Sequence, residues 1–238
     1  MDLKEATLLA DGAADHWYYR AKFAALRALV GRSPAGRVLD IGAGTGFFAR
    51  QLLLHTDCVT ATCIDPGYPA DSDEIAGGKP LRFRRAPGTE QADLVLLMDV
   101  LEHVPDDVAL LKSYAAAAAP GTRFIISVPA FNWLWSEHDV FLEHYRRYTL
   151  GQIEAVVSAA GLRIETGCYF YGAVLPLAAM QRLIGQLARR NDAPARSRMQ
   201  VHGKLTNKVL WLACRLELPW FRVNRIAGLT AFVSAVKS

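Results

Sequence analysis

The stretch VLDIGAGTG, Val38 to Gly46, narrows what this 238-residue chain can fold into more than any other. It sets three glycines in five positions directly behind a short apolar strand, and the apolar helical pattern Phe47–Leu54 follows at once. Glycine tolerates positive φ and lets backbone approach a neighbour with no Cβ between them. The stretch therefore reads as a tight strand-to-helix corner built for close approach. Its spacing is G-x-G-x-G. A dinucleotide fingerprint, G-x-G-x-x-G, needs a third glycine where Phe47 stands, which disfavours a nicotinamide oxidoreductase.

The rest of the chain keeps a strand–helix rhythm. Trp17–Val30 has amphipathic helical spacing and ends in the Gly/Ser/Pro turn at 31–36. Val59–Ile64 is a second strand, stopped by Asp65-Pro66-Gly67. The Asp/Gly/Pro-rich segment Tyr68–Lys79 reads as a loop with one short helical turn. Leu81–Arg84, Leu94–Met98 and Arg123–Val128 are further strands, with a helix over Pro105–Ala118 between the last two. Thr149-Leu-Gly-Gln152 is a capping box that opens a helix ending at Gly161. Leu162–Tyr169 and Leu229–Val236 are strand-like, with about sixty residues of mixed apolar and basic helical pattern between them. Alternation of this kind predicts an α/β, doubly wound, Rossmann-like sheet of about seven strands with helices on both faces. The last strand is expected to be antiparallel, preceded by a helical insertion. The expected divisions are an N-terminal helical lid (1–36), a Rossmann-like core (37–169), an insertion that covers the substrate (170–227) and a final strand returning to the core (228–238).

Composition adds little except in one place. The net charge of +4 does not by itself argue for nucleic acid. Seven basic residues stand between Thr166 and Ala213 (Arg182, Arg189, Arg190, Arg196, Arg198, Lys204 and Lys208) against the single acid Asp192. Beside the apolar run Tyr169–Leu187 they make the insertion a substrate cover first, with a homodimer surface or a peripheral membrane flap as other readings. Four cysteines show neither C-x-x-C nor zinc spacing, and the N-terminus lacks the apolar core of a signal peptide. The longest apolar run, Cys168–Met180, contains Pro176 and is too short for a span of roughly twenty residues. Free thiols in the cytoplasm are expected.

Two carboxylates frame the glycine turn. Asp40 stands two residues before Gly42, and Asp65 closes the next strand, where a carboxylate can accept hydrogen bonds from ribose hydroxyls. With these neighbours, VLDIGAGTG, CIDP, ADLVLLMDVLEHVPDD and PGTRFIISVP, in that order between Arg37 and Gly161, the sequence resembles the class I S-adenosylmethionine-dependent methyltransferases. DVLEHV followed by a Pro-Gly turn is similar to members acting on small molecules. An Asn/Asp-Pro-Pro-aromatic run, expected of a nucleic-acid methyltransferase, is absent there, so no nucleic-acid partner is expected. DHWYYRAKF and LWSEHDVFLEHYRRYT resemble a bacterial subgroup (type 11/12-like) associated with glycan, lipid or secondary-metabolite pathways.

The resemblance implies S-adenosylmethionine as cofactor and S-adenosylhomocysteine as product. It places Asp40, Gly42, Gly44 and Gly46 around the methionine and ribose portions, Asp65 on the ribose, and Asp99, Val100 and Leu101 along the methionine end. Ala86, between Arg85 and Pro87, falls beside the adenine, although Arg84 and Arg85 stand where the family often has an acid. Glu102-His103 reads as helix packing.

Methyl transfer is an in-line displacement that needs alignment and exclusion of water, with a base when the acceptor is a hydroxyl. The candidate cluster is Ser136–Tyr148, beyond the fifth strand. His144 is the first choice for a base, Asp139 for its orienter, and His138 is a further candidate. Glu137, His138, Asp139, Glu143 and His144 contain no i, i+4 histidine pair, so no metal ligands are assigned. Trp17, Tyr18, Trp133, Trp135, Tyr145, Arg146 and Arg147 are the expected contacts of a small-molecule acceptor, with oxygen as the methylated atom. The other reading is a protein of this fold that binds the cofactor but has a regulatory role or a reaction other than methyl transfer.

Overall fold

The computed structural model describes residues 15–31, 36–89, 91–187 and 203–238. Arg189, Arg190, Asp192, Arg196 and Arg198 of the basic stretch lie outside them. Five strands run parallel: β1 (Arg37–Ile41), β2 (Thr60–Ile64), β4 (Lys79–Arg84), β5 (Leu94–Met98) and β6 (Arg123–Pro129). Together with β3 (Ser72–Ala76), β7 (Leu162–Phe170) and β8 (Thr230–Lys237) they form one eight-stranded sheet in the order β3-β4-β2-β1-β5-β6-β8-β7. The expected final antiparallel strand is β8, inserted between β6 and β7 and antiparallel to both.

One expectation fails. The segment read as a loop with a helical turn, Tyr68–Lys79, contains strand β3, which pairs antiparallel with β4. Gly77 and Gly78, at φ 58° and 76°, supply the two positive-φ positions of a two-residue hairpin turn. Only Ala76 of this edge strand is buried, so its sequence carries no apolar alternation to read.

Helices cover both faces. On one side α1 (Trp17–Val30), α2 (Phe47–His55) and α7 (Lys204–Glu217) bury Phe23, Leu26, Phe48, Leu52 and Cys214. On the other, α3 (Asp107–Ala117) and α5 (Leu150–Ala159) bury Leu111, Ala115, Ile153 and Val157. The expected capping box holds α5: the Thr149 N–H donates to Gln152 Oε1 at 2.8 Å and the Gln152 N–H to Thr149 Oγ1 at 3.3 Å. Between β6 and α5 lies the short helix α4 (Glu137–Phe141), and α6 (Leu175–Leu187) follows β7.

α7 is tied to α1. Asn207 Oδ1 accepts from the Trp17 N–H at 2.7 Å, and Tyr171, directly after β7, adds a second tie to α1 by donating its hydroxyl to the Tyr18 carbonyl at 2.6 Å. The strand order reverses at β1, with β2 on one side and β5 on the other, so the crevice of the fold opens beyond the carboxyl ends of these strands. All four cysteines are buried and free, and no helix among the described residues is long and apolar enough to cross a membrane.

Candidate active site

The glycine corner sits at that switch point. The Gly42 N–H donates to the Ile64 carbonyl at 2.8 Å, and the Gly44 N–H to Asp65 Oδ2 at 2.9 Å. Asp65 Oδ1 accepts from the Gly67 N–H at 2.8 Å, so one carboxylate ties the corner to the turn after β2. The glycines also serve the protein's own packing. A Cβ on Gly42 would lie 2.8 Å from Val100 Cγ2, and one on Gly46 would lie 2.8 Å from Phe83 Cε1. Asp40 is buried under the corner, with Oδ2 lacking a hydrogen-bond partner. Burial, helped by the charge of Asp65, pushes its carboxyl up to about 7. Gly42, Asp65, Pro66, Asp99, Val100 and His103 line an open crevice of about 340 Å³.

Beyond β5 the chain turns sharply, and Asp99 takes φ 57°, a left-handed conformation uncommon for a side chain other than glycine. It is held there from two sides. Ser127 Oγ donates to Oδ1 at 3.0 Å, and the ammonium of Lys22, fully buried in α1, pairs with Oδ2. Burial alone would lower Lys22 and raise Asp99. The pairing outweighs it in both, so Lys22 stays above its ordinary range, with Tyr18 adding to the effect, and Asp99 below its own. Lys22 escaped the sequence reading; the signal was a lone cation inside the apolar face of α1.

A more enclosed cavity of about 150 Å³ adjoins this pair, walled by Tyr18, Phe48, Glu102, His138, His144 and Arg147 among others. One of its histidines, His144, is oriented through an acid. Asp139 Oδ1 contacts His144 Nδ1 at 3.0 Å and accepts from Arg147 Nε at 2.6 Å, while Oδ2 accepts from the Ser136 N–H at 2.8 Å and its hydroxyl at 3.0 Å. These partners overcome the cost of burial and hold Asp139 well below the usual carboxylate range. His138 goes the other way: burial pushes it down to about 4, so it is neutral at pH 7. Glu102 is fully buried, and neither carboxylate oxygen has a hydrogen-bond partner among the described residues. Burial and then the charge of Asp99 raise its carboxyl well above the ordinary range.

Of the expected acceptor contacts, only Tyr18 and Arg147 reach this cavity. Trp17 packs edge-on against Tyr171. Trp133 is half exposed and stacks on Phe131, and Trp135 follows that turn without lining the cavity. Tyr145 is exposed, and its backbone N–H donates to the Glu102 carbonyl at 2.8 Å. Arg146 turns away to Asp107 and the Pro105 carbonyl. Leu101 is a core side chain, and Ala86 is exposed outside the crevice lining. Glu102 and His103, read from the sequence as helix packing, both line the cavity, as does Arg182 of α6.

Residues 14–166 match the family model of a methyltransferase domain. Over 100 residues the chain is 31% identical to a ubiquinone biosynthesis O-methyltransferase of Aeromonas salmonicida (strain A449), covering 38% of this chain and 42% of that protein. A demethylspheroidene O-methyltransferase of Rhodobacter capsulatus is 36% identical over 105 residues, covering 42% of this chain and 27% of that protein. The chain thus spans less than half the length of these curated relatives. An S-adenosylmethionine-dependent methyltransferase from Mesorhizobium loti shares the fold, with a TM-score of 0.55 at 17% identity, over 91% of this chain and 97% of that one. With the glycine corner and Asp65 in place, the chain belongs to the class I S-adenosylmethionine-dependent methyltransferases.

Proposed function

We propose that this chain binds S-adenosylmethionine in the open crevice and transfers its methyl group to an oxygen of a small-molecule acceptor, free or linked to a glycan or lipid. One observation carries the reading: the crevice and the enclosed cavity share Asp99 and His103 in their walls. A sulfonium lying in the first would present its methyl to an acceptor in the second, which is the alignment that displacement at carbon requires.

Each Asp65 oxygen already accepts one backbone N–H and keeps a further lone pair for a ribose hydroxyl. Asp40, Gly42, Gly44 and Gly46 close around the methionine end, and the backbone of Asp99, Val100 and Leu101 runs beside it, with Ala86 toward the adenine. The hydrogen bond to Asp139 occupies His144 Nδ1, which leaves Nε2 to take a proton from an acceptor hydroxyl. The two O-methyltransferase relatives support oxygen as the acceptor atom. α1 and α6 supply Tyr18, Lys22 and Arg182 to the site and act as lid and cover.

The test is transfer of labelled methyl to a panel of hydroxylated and carboxylated metabolites. Wild type labels an acceptor, and His144→Gln loses roughly 10²–10⁴-fold in rate on a hydroxyl while its cofactor affinity stays unchanged. An unaffected rate would remove His144 from the chemistry.

The same reading extends to a membrane surface. Leu205, Val209, Leu212 and Leu216 form an exposed apolar stripe along α7, continued by Trp220, Val223 and Ile226, the last 89% exposed. Lys204, Lys208 and Arg215 flank it, the pattern of a helix lying in an anionic interface. Wild type is expected to sediment with anionic vesicles at low salt, and Leu212→Asp with Leu216→Asp to remain in solution. Concentration-dependent mass without vesicle binding would make this face a homodimer surface instead. Four buried free thiols fit a reducing cytoplasm.

A further inference from the structure

Among the described residues, one group of three metal-ligating side chains comes together: Glu102, His103 and His144. Each offers one donor atom, and the three donors lie within 4.8 Å of one another. Two distant segments meet here. Glu102 and His103 belong to the single turn Leu101–His103 after β5, and His144 comes from the loop after α4. The Tyr145 N–H to Glu102 carbonyl bond joins them, and the His103 and His144 rings meet edge to face with centroids 4.6 Å apart.

We infer that Glu102, His103 and His144 form a binding site for a divalent first-row transition-metal cation at the junction of crevice and cavity. Two further observations point to a ligand. Glu102 is completely buried with both oxygens unpartnered among the described residues. A carboxylate so placed must be neutralised or must meet a cation, because an unpaired buried charge is far too costly. Lys22 and Arg147, buried cations nearby, are already engaged by Asp99 and Asp139. His144 is also prepared as metal-binding histidines are, since Asp139 fixes its Nδ1 and leaves Nε2 for the ligand position. Asp139 is itself fixed by Arg147 and Ser136.

Two imidazoles and one carboxylate leave the remaining coordination positions open, a donor set suited to Mn²⁺, Fe²⁺, Co²⁺ or Zn²⁺. Donors on one cation stand about 3–3.5 Å apart, so binding draws the three together by roughly an ångström. The site takes only His144 from the acid- and histidine-rich run Ser136–Tyr148.

Its role rests on the methyl-transfer reading. All three residues line the cavity, where the cation would polarise an acceptor hydroxyl and lower its pKa. The O–H bond breaks with its proton passing to water. The oxygen then forms a bond to the methyl carbon as the carbon–sulfur bond breaks, and that electron pair stays on sulfur as S-adenosylhomocysteine. In the loaded protein His144 Nε2 is a ligand, and the cation does the work the free imidazole does without it.

The experiment is a Co²⁺ titration of the intact protein, followed by visible absorption and calorimetry beside an S-adenosylmethionine titration of each sample. Wild type and the exposed-site control His55→Gln are expected to bind one equivalent with the same affinity. Asp139→Asn should weaken it about 10–100-fold, the scale for losing the partner of a ligating histidine, and Glu102→Gln or His144→Ala by at least that much. Cofactor binding by the same variants reports that they are folded. Protein that binds cofactor but no Co²⁺, or Co²⁺ binding that survives both Glu102→Gln and His144→Ala, overturns the metal site. Cobalt binding without cofactor binding leaves the site standing and overturns methyl transfer.

Discussion

Replacing Asp40 by asparagine should change how the stability of this protein depends on pH. Asp40 is 1% exposed, its Oδ2 has no partner, and burial raises its carboxyl from 3.8 to about 7. Between these values the native state holds a proton that the unfolded chain has released. The stabilising contribution is therefore complete below about pH 4 and is lost as pH rises through 7. One pKa unit corresponds to 1.36 kcal/mol, so the full loss is about 4 kcal/mol, of which roughly 2–3 kcal/mol falls between pH 5 and pH 8. The amide of the Asp40→Asn variant does not titrate, and groups distant from Asp40 cancel in the comparison of the two proteins. Urea unfolding of wild type and Asp40→Asn at pH 5 and pH 8 isolates the difference. The stability gap should shift toward the variant by roughly 2–3 kcal/mol at the higher pH. A gap that is the same at both values would refute the claim that Asp40 is a buried, protonated carboxyl.

Two further outcomes follow from the packing around the site. Asp99→Asn leaves the fully buried Lys22 ammonium without its carboxylate, and should cost about 3 kcal/mol in denaturant unfolding. Lys22→Met with Asp99→Asn should recover much of that loss, and a double variant no more stable than the single one would contradict the pairing. Gly46→Ala puts a methyl group 2.8 Å from Phe83 at a position with φ 70°, and thermal unfolding should show a loss of about 1–3 kcal/mol. No loss would mean that the corner relaxes without strain.

The parallel core was legible because its strands are buried on both faces and read as continuous apolar runs, such as Leu94–Met98 between turn signals. The capping box at Thr149 was legible for a local reason, since its two hydrogen bonds join residues three apart. β3 was hidden because Ser72–Ile75 are all exposed. The cofactor corner could be read because its chemistry lies within one short segment. The cavity as a whole could not, because Phe48, Glu102, His144 and Arg182 come from four separated segments. Nothing in the spacing of LWSEHDVFLEHYRRY shows that Arg147 turns inward to Asp139 while Arg146 turns outward to Asp107. The capping interaction at Ser136 holds the Asp139 carboxylate whose other oxygen receives Arg147.

The central claim is that the glycine corner and Asp65 hold S-adenosylmethionine. A calorimetric titration of the folded, ligand-free protein with S-adenosylmethionine and S-adenosylhomocysteine, beside Asp65→Ala, tests it most directly. Hydrogen bonds to a charged group contribute roughly 1.5–3 kcal/mol, so the variant should bind about ten- to a hundred-fold more weakly than a micromolar wild type. No binding by wild type, or equal binding by Asp65→Ala, would contradict it.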